Sequence, residues 1–366
     1  MMRKARCLSM EELRSDRLDR STRTCEVSSE IKIPAEWEPH AFCFMAWAVH
    51  REWGADVDDV KRELREVIST VAEYEPVRLL VPPDLITEAQ RQSFGDNVEI
   101  VPVPVDDIWM RDILPTFALR DGKPIAIDWN FNGWGSTPAR PARPGDRASG
   151  FIAAKLGLPL IHAPFIAEGG AFVTNGDGTI VTTKSCLLNE NRNPGFGRTQ
   201  SERIEEIESA LAALGGRKVI WLEGDTIEAI TSGHADGYML YANSGVILVE
   251  EPDPEGGTSL NRSKDIERLR NVVDGQGRLI IVSSVFPPRQ KYWRFSSTSF
   301  APCYLNAYVA NGAVITGKFG DPERDKAAHD TLRASFPGRD IRMLSIDHIS
   351  RGGGGVHCLT QPVPNS

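Results

Sequence analysis

The chain has 366 residues, of which 41% are hydrophobic and 25% are charged, a composition typical of globular proteins. No stretch approaches the roughly 18 consecutive apolar residues that a membrane-spanning helix needs, which argues against an integral membrane protein. The net charge of −8 and the lack of an obvious basic face argue mildly against nucleic acid as a partner.

The predicted elements begin after a charged N-terminal stretch. Residues 1–30 contain no apolar run of the kind found in secretion signals, so we expect a peripheral extension and a cytoplasmic protein. The six cysteines show no paired short spacing, so free thiols in a reducing compartment are expected. From Ile31 onward the pattern is dense, and we predict one catalytic α/β domain over residues 31–366. The oligomeric state stays open, a homo-oligomer included.

Amphipathic helices and short apolar strands alternate along this domain. The predicted helices are 58–74, 146–156, 201–214, 263–274 and 323–335. Each is followed by a strand candidate, at 77–82, 158–163, 218–223, 278–284 and 341–346. Two Pro- and Gly-rich segments, 133–146 and 250–263, are predicted to be irregular loops.

Four β-hairpins are predicted from turn residues that separate β-prone runs. The turns are Asp121-Gly122, Asp177-Gly178, Asn243-Ser244-Gly245 and Asn311-Gly312. Polar, chemically reactive residues recur at similar intervals beside such strands. They are Asp112, Glu168, His234 with Asp236, Asn306 and Cys358. Self-similarity of this kind predicts a repeated architecture, and five units in a ring would bring these residues to one central pocket.

Cys358 follows a run of four glycines, Gly352 to Gly355, and then Val356 and His357. Consecutive glycines cost conformational entropy, so close backbone approach to a ligand is a reason to have them. The Lys and Ser/Thr of a phosphate-binding loop are missing, which favours a tight turn that presents the thiol to a substrate. A buried structural cysteine is the alternative.

A histidine and three carboxylates could complete such a site. His234 and Asp236 are two residues apart, and on a strand both side chains would point to one face. The imidazole could move protons near neutral pH. Asp112 and Glu168 each precede a hairpin, although a core histidine and surface carboxylates are the alternative. Converging acids without a metal would indicate a cationic ligand, because unpaired buried carboxylates are costly.

Zinc is the competing chemistry for the same pocket. Its ligands would be Cys358, His234, Asp236 and Asp112. The chain contains no CxxC or HExxH spacing, however, so we expect no metal ion.

Nine motifs, taken together and in order, resemble the agmatine deiminase and bacterial peptidylarginine deiminase family of guanidine-modifying (pentein) enzymes. The motifs are PAEWEPH (34–40), DDIWMRDILPTF (106–117), NFNGWG (130–135), EGG (168–170), CLLNENRNPG (186–195), GHAD (233–236), YLNAYVANG (304–312), FGDP (319–322) and GGGGVHCLTQ (352–361). The resemblance covers Ile31 to Pro362. It implies a five-bladed α/β propeller, in agreement with the fivefold pattern, and a hydrolase that releases ammonia from a small cationic guanidine without a cofactor.

The resemblance assigns the catalytic roles to matching residues. Cys358 would attack the guanidinium carbon as a thiolate. Asp112 and Asp236 would hold the guanidinium nitrogens and so fix the geometry of attack. His234 would protonate the departing nitrogen and then activate water against the thiouronium intermediate.

Further positions are candidates for substrate binding. The resemblance implies that Trp109 stacks on the planar cation and that Glu168 and Asn306 belong to the pocket. In the loop 136–147, Arg140 and Arg143 could grip a substrate carboxylate bidentately. A solvated basic loop is the alternative for these two arginines.

Several positions depart from the agmatine deiminase pattern. Ala171, Gly237 and Gly355 stand where that family carries asparagine, and Ser232 replaces an acidic residue. Because polar groups are lost around an intact catalytic set, we predict that a bulkier or carboxylate-bearing guanidine is preferred to agmatine. Two alternatives stay open: an amidinotransferase, in which an amine takes the place of water, and a paralogue that binds a guanidine without turning it over.

Overall fold

A computed structural model describes residues 30–135, 143–225, 228, 230–255 and 260–365. The peripheral extension predicted for residues 1–30 lies, except for Glu30, outside these residues and stays a prediction. From Ile31 onward the chain forms one compact unit. No helix in the described part of the chain is long and apolar enough to cross a membrane.

The strands of the described residues group into five separate sheets, the blades of a ring. The strands are β1 (Ile31–Lys32), β2 (His40–Ala46), β3 (Val77–Val81), β4 (Val98–Pro102), β5 (Thr116–Arg120), β6 (Lys123–Asp128), β7 (Leu160–His162), β8 (Val173–Thr174), β9 (Thr179–Thr183), β10 (Lys218–Leu222), β11 (Met239–Asn243), β12 (Val246–Glu250), β13 (Ile281–Val285), β14 (Tyr308–Ala310), β15 (Ala313–Lys318), β16 (Asp340–Ser345) and β17 (Gln361–Pro364). Blade A is β17-β2-β3-β4, blade B is β1-β5-β6-β7, blade C is β8-β9-β10, blade D is β11-β12-β13 and blade E is β14-β15-β16.

Every blade is built on the same plan. An antiparallel pair of strands is followed by a third strand that runs parallel to the second. The third strand is reached through a helix, as a parallel connection requires. The predicted α/β class and fivefold repeat are confirmed.

The four predicted hairpins form at the predicted turns. Between β5 and β6, Asp121 and Gly122 both adopt positive φ, 51° and 75°. Two central residues with positive φ match the twist of paired strands, and Asp-Gly is a favoured sequence for them. Local turn chemistry therefore sets the registers of these hairpins.

Blade A differs because its antiparallel pair joins the two ends of the ring. Its first strand, β17, pairs with β2, where Pro362 lies opposite Cys43. Because these strands are distant in sequence, no turn pattern predicts their pairing. The sequence analysis missed this closure, and it also missed β1 and β4, the outermost strands of blades B and A.

A helix connects the two parallel strands of each blade along the sequence. The helices of the described residues are α1 (Val57–Ala72), α2 (Ile86–Ala89), α3 (Met110–Ile113), α4 (Ala148–Leu156), α5 (Lys184–Leu187), α6 (Gln200–Ala213), α7 (Leu260–Arg270), α8 (Pro322–Ser335), α9 (Asp347–Arg351) and α10 (Val356–Leu359). Helix α6 begins with a capping box formed by Thr199 and Glu202. Its predicted apolar stripe is buried at Ile207 and Leu211, which pack into the core of blades B and C.

Two predictions need correction. Helix α7 ends at Arg270 rather than at residue 274, because the chain turns back there and pairs Val273 with Leu279. The GHAD segment is not a strand: Ala235–Gly237 forms a short 3-10 helix. His234 and Asp236 still converge, but through this turn and not through strand alternation.

Each polar site residue lies just before the strand that opens the antiparallel pair of a blade: β5, β8, β11, β14 or β17. Asp112 in α3 precedes β5, and Glu168 and the turn after it precede β8. Asp236 precedes β11, Asn306 precedes β14 and Cys358 in α10 precedes β17. Equivalent positions of the five blades thus bring these residues together.

Candidate active site

The glycines before Cys358 let its turn pack closely against neighbouring groups. A Cβ on Gly354 would lie 2.6 Å from the Trp109 ring and 3.1 Å from Cys358 Sγ. A Cβ on Gly355 would lie 2.9 Å from Asn306 Oδ1. A side chain at either position would therefore displace the thiol or its neighbours. This close approach explains the run of glycines. Cys358, which is 8% exposed, follows the glycines in the short helix α10.

Asn306 holds the turn that carries the thiol. Its Oδ1 accepts hydrogen bonds from the backbone N–H groups of Gly355 (3.0 Å) and Cys358 (3.3 Å). Its Nδ2 donates to Cys358 Sγ and to the backbone oxygen of Asp236, each at 3.2 Å. One amide therefore ties the sulfur, its backbone and the neighbouring acid into a fixed arrangement.

Asp112 and Asp236 both face His234 Nδ1 and are both buried. Asp112 accepts hydrogen bonds from Trp134 Nε1 and from the backbone N–H of Gly170, each at 2.9 Å. Asp236 Oδ2 is 2.7 Å from His357 Nδ1 and 3.7 Å from Cys358 Sγ. Asp236 Oδ1 is buried and has no hydrogen-bond partner among the described residues. One carboxylate oxygen beside the thiol is thus left to bind another group.

His234 lies between the two aspartates. Its Nδ1 is 3.9 Å from Asp112 Oδ2 and 3.8 Å from Asp236 Oδ1, too far for hydrogen bonds. This buried nitrogen has no hydrogen-bond partner among the described residues. Gly170 makes the convergence sterically feasible, because a Cβ there would lie 2.6 Å from His234 Nδ1 and 2.9 Å from Asp112 Oδ1. The imidazole is therefore anchored on one side and free to exchange a proton on the other.

The anchor of His234 is a fully buried ion pair. Glu168 Oε2 is 3.3 Å from His234 Nε2, and both oxygens of Glu168 accept from Arg192 Nε, at 2.8 and 3.1 Å. The side chains of Glu168 and Arg192 have no exposed surface. Because Arg192 neutralises it, Glu168 is a support for the imidazole rather than a free acid of the pocket.

The pKa values of the two aspartates are shifted in opposite directions. Burial, with the negative charges of Asp236 and Glu168, raises the pKa of Asp112. Burial also acts on Asp236, but His357 and His234 hold the pKa of this carboxyl below its usual value. Asp236 is therefore the more firmly ionised of the pair.

The thiol and the imidazole respond to these charges. Burial, and then the anions Asp236 and Asp112, raise the pKa of Cys358 well above its ordinary value. Although burial opposes it, the charge of Asp112 raises the pKa of His234 well above its ordinary value. Surrounded by protein groups alone, the thiol keeps its proton and the imidazole keeps its charge. A cation between the carboxylates would favour the thiolate.

These groups open onto a cleft of about 590 Å³. Cys358, His234, Asp236 and Asn306 line it. Its walls also carry the acidic residues Asp225, Glu228, Glu250, Glu251 and Asp253. Arg262 is also in the wall, but it is paired with Glu250 Oε1 at 3.0 Å. The cleft therefore has an acidic character.

One group of side chains among the described residues has ligand atoms close enough to hold a metal ion. Glu168, Cys186 and His234 offer atoms within 4.8 Å of one another. This group does not include Cys358 and the two aspartates, which the zinc alternative required. Glu168 is, moreover, committed to the guanidinium of Arg192. The donor set suits a metal ion poorly.

The remaining predicted binding residues have mixed outcomes. Trp109 is buried and packs beside Gly354, with its ring 6.2 Å from that of Trp53. Arg143 donates to the backbone oxygen of Asp106 at 3.4 Å. Arg140 lies outside the described residues.

Sequence reasoning missed four residues that contact the site. Trp134, Arg192, His357 and Glu36 bind or support the acids and the imidazole. All four lie inside the motifs that carry the family resemblance. Nothing in their spacing predicted which acid each one would meet.

A ring of five α/β blades with a cysteine, a histidine and buried acids at its centre defines the pentein class of propellers. Within that class, the chain belongs to the Porphyromonas-type peptidyl-arginine deiminase family, whose model matches residues 32–364. The family predicted from the nine motifs is confirmed.

Individual relatives agree over nearly the whole chain. A Legionella pneumophila (strain Paris) protein named “Putative agmatine deiminase” is 34% identical over 338 residues, covering 91% of this chain and 95% of its own. A Mycoplasma capricolum protein of the same name is 32% identical, with 91% and 96% covered. A solved structure described as the agmatine deiminase of Enterococcus faecalis has a TM-score of 0.82 and 25% identity, with 92% and 96% covered.

Proposed function

We propose that the protein is a guanidine deiminase, a hydrolase that releases ammonia from a guanidine and leaves a ureido product. One observation carries the proposal. Two buried carboxylates, Asp112 and Asp236, face His234 Nδ1, and Asp236 also contacts the Cys358 thiol. Asp236 Oδ1 and His234 Nδ1 have no hydrogen-bond partner among the described residues. A guanidinium ion supplies both the positive charge and the N–H donors that this arrangement calls for.

Binding of the cation prepares the nucleophile. In the protein alone, Asp112 and Asp236 raise the pKa of Cys358. A guanidinium between them offsets this negative charge, so the thiol loses its proton more readily when substrate is bound. The thiolate then attacks the guanidinium carbon, forming a C–S bond to a tetrahedral adduct.

Proton transfers by His234 complete two half-reactions. The imidazolium gives its proton to one nitrogen as the C–N bond breaks, and ammonia leaves. The neutral imidazole next takes a proton from water, which attacks the thiouronium carbon. The C–S bond breaks with its electrons on sulfur, the hydroxyl proton of the adduct passes to that sulfur, and the ureido product departs from Cys358, which is again a thiol. The proton that the thiol gave to solvent at the start is taken up by ammonia. Glu168 keeps the imidazole oriented through Nε2, at 3.3 Å.

Hydrolysis is favoured over the two alternatives. The Legionella and Enterococcus proteins are named as deiminases, which supports water rather than an amine as the acceptor. The complete set of Cys358, His234, Asp112 and Asp236 at one site supports turnover rather than binding alone. Like its buried free thiols, this chemistry suits a reducing cytoplasm.

The cleft bears on substrate choice. Five further acidic residues line it, and although Glu250 and Glu251 are paired with Arg262 and Arg270, the wall keeps a net negative charge. These charges favour a guanidine that carries a second positive charge, such as agmatine, over one that carries a carboxylate. Arg143 bonds to the backbone near Asp106 and offers no support for a carboxylate grip. The carboxylate preference predicted from the sequence therefore depends on Arg140, outside the described residues.

The experiment is a panel of guanidines assayed for ammonia and for ureido product, with and without acceptor amines. Agmatine, free arginine and a peptide with C-terminal arginine should be included. We expect ammonia and ureido product in equal amounts, unchanged by EDTA or by added amines. Failure of every guanidine to release ammonia would overturn the proposal, and an amidinated amine as the main product would establish the transferase.

A further inference from the structure

A buried row of alternating charges runs from Asp236 through His357 and Glu36 to Arg111. His357 Nδ1 is 2.7 Å from Asp236 Oδ2, and His357 Nε2 is 2.6 Å from Glu36 Oε2. The same Glu36 oxygen accepts from Arg111 Nη2 at 3.0 Å. Arg111 Nε also donates to the backbone oxygen of His357, at 3.4 Å. The order of charges is negative, positive, negative, positive.

Both ring nitrogens of His357 face carboxylates, so both act as donors and the ring is an imidazolium. Burial and the charge of Arg111 oppose this, but Glu36 and Asp236 raise the pKa of His357 above its ordinary value. Burial likewise opposes the ionisation of Glu36, yet His357 and Arg111 lower the pKa of this carboxyl to about 2. Each charge in this row is stabilised by its neighbours.

We propose that His357 is a positioning residue that keeps Asp236 ionised and directs its free oxygen, Oδ1, toward the substrate guanidinium. Glu36 and Arg111 hold His357 in the charged state that this role requires. The inference rests on the proposed deiminase activity, and it assigns to the residue before the nucleophile a task distinct from proton transfer.

Among the described residues, no cation other than His357 is hydrogen-bonded to the Asp236 carboxylate. Arg111 also lowers the pKa of Asp236, but it bonds to Glu36 and to the His357 backbone oxygen. Asp112 is negative and makes ionisation of Asp236 harder. Cys358 Sγ, at 3.7 Å, becomes negative during turnover. His234 Nδ1 lies 3.8 Å from Asp236 Oδ1 and loses its proton in each cycle. Two buried anions in one site need a lasting cation, and His357 is the cation in hydrogen-bond contact with the Asp236 carboxylate.

The chain offers a matched control for this pair. His348 Nδ1 lies 2.7 Å from Glu63 Oε1, and both residues are buried, at 3% and 4% exposure. This pair joins α9 to α1 and touches none of the residues of the candidate site. His348→Gln therefore removes a buried histidine–carboxylate contact without changing the charge on Asp236.

The test is the pH dependence of kcat/KM for ammonia release from the best guanidine of the panel. In His357→Gln, Asp236 loses its cation and its pKa rises by about 1–3 pH units, toward the raised pKa of Asp112. The acidic limb should then move to higher pH and become steeper, because two carboxylates titrate together. In Glu36→Gln, His357 keeps Asp236 as a partner but loses the second carboxylate, so its own pKa falls. The acidic limb should then move up by less than in His357→Gln, and the alkaline limb should stay in place, because Asp236 is ionised there in either case. His348→Gln should leave both limbs in place.

Circular dichroism and thermal melting identify variants that do not fold. If His357→Gln is unfolded, Glu36→Gln still decides, because it leaves the histidine in contact with Asp236. Folded variants with both limbs at their wild-type positions would overturn the role of His357, whatever their loss of rate. A wild-type protein that releases no ammonia would instead overturn the proposed function.

Discussion

Two buried histidines, His234 and His357, flank Asp236 and differ in how completely their nitrogens are bonded. Both nitrogens of His357 lie within 2.7 Å of a carboxylate oxygen. His234 has one partner at 3.3 Å, and its other nitrogen has none among the described residues. A fully bonded imidazolium holds its protons, whereas a nitrogen without a partner can accept and return one. The same residue type thus serves as a fixed charge on one side and as an acid–base catalyst on the other.

The largest effect is expected on the side of Asp236 that faces the thiol. Cys358→Ala should lower kcat by at least about four decades, because the covalent step is lost. A haloacetamidine should alkylate Cys358, and mass spectrometry of the labelled protein checks the site. Cys43→Ala is the control and should keep its activity, because Cys43 lies in β2 and does not line the cleft. Label on Cys186 or Cys303, with activity lost, would move the nucleophile elsewhere.

Next in size are the two acids. Asp112→Asn and Asp236→Asn should each lower kcat/KM by on the order of two to four decades, since each removes a charge that the guanidinium meets. Steady-state kinetics at several pH values measure both losses. Equal activity of either variant and the wild type would show that the cation binds elsewhere in the cleft.

His234→Gln should lower kcat by about 10²- to 10³-fold, because proton transfer is lost in both half-reactions. The loss should persist at every pH, whereas the loss in His357→Gln should shrink as the pH rises and Asp236 ionises. Rate profiles of the two variants, measured side by side, test the comparison. Parallel profiles would mean that the two histidines share one role.

Gly170→Ala should lower kcat/KM by about 10- to 100-fold, because its methyl group would lie 2.6 Å from His234 Nδ1 and push the free nitrogen out of position. Gly150→Ala is the matched control: Gly150 lies in α4, outside the cleft, and the nearest atom to a Cβ there is Leu160 Cδ2 at 4.0 Å. Melting temperatures and kinetics of both variants separate misplacement from unfolding. An active Gly170→Ala would show that the free nitrogen tolerates displacement.

The smallest effect is expected in the wall of the cleft. Glu250→Gln should raise KM for agmatine by about tenfold or less, since Glu250 Oε2 is buried in the cleft wall without a hydrogen-bond partner among the described residues. A guanidine without a second charge, such as a simple alkylguanidine, should show no change. An equal rise in KM for both substrates would assign Glu250 to the wall and not to recognition.

Local patterns were sufficient for most of the fold. Helical periodicity and Asp-Gly or Asn-Gly turns act over a few residues, so the blades and four hairpins could be predicted. The pairing of β17 with β2 joins distant parts of the sequence and was missed. The turn Ala235–Gly237 was also missed, because a two-residue spacing fits a strand equally well.

The site was predictable to the extent that its residues have intrinsic reactivity. Cys358, His234 and the acids attract notice by themselves, and the structure brings them together. Arg192, Glu36 and His357 act by neutralising or directing another buried group. Their roles depend on which charge lies within 3 Å, and that follows from the tertiary packing of separate blades.

The pairing of β17 with β2 also determines when, during translation, the active site becomes complete. A nascent chain extended as far as α8 already carries Asp112, His234 and Asp236 but lacks both Cys358 and the strand that anchors it. At about 5–20 residues per second, Cys358 follows Asp236 by roughly 6–24 seconds. Incomplete chains that lack Cys358 are therefore expected to have no deiminase activity. Guanidine hydrolysis can begin only when β17, the last strand to be synthesised, pairs with β2 and completes blade A.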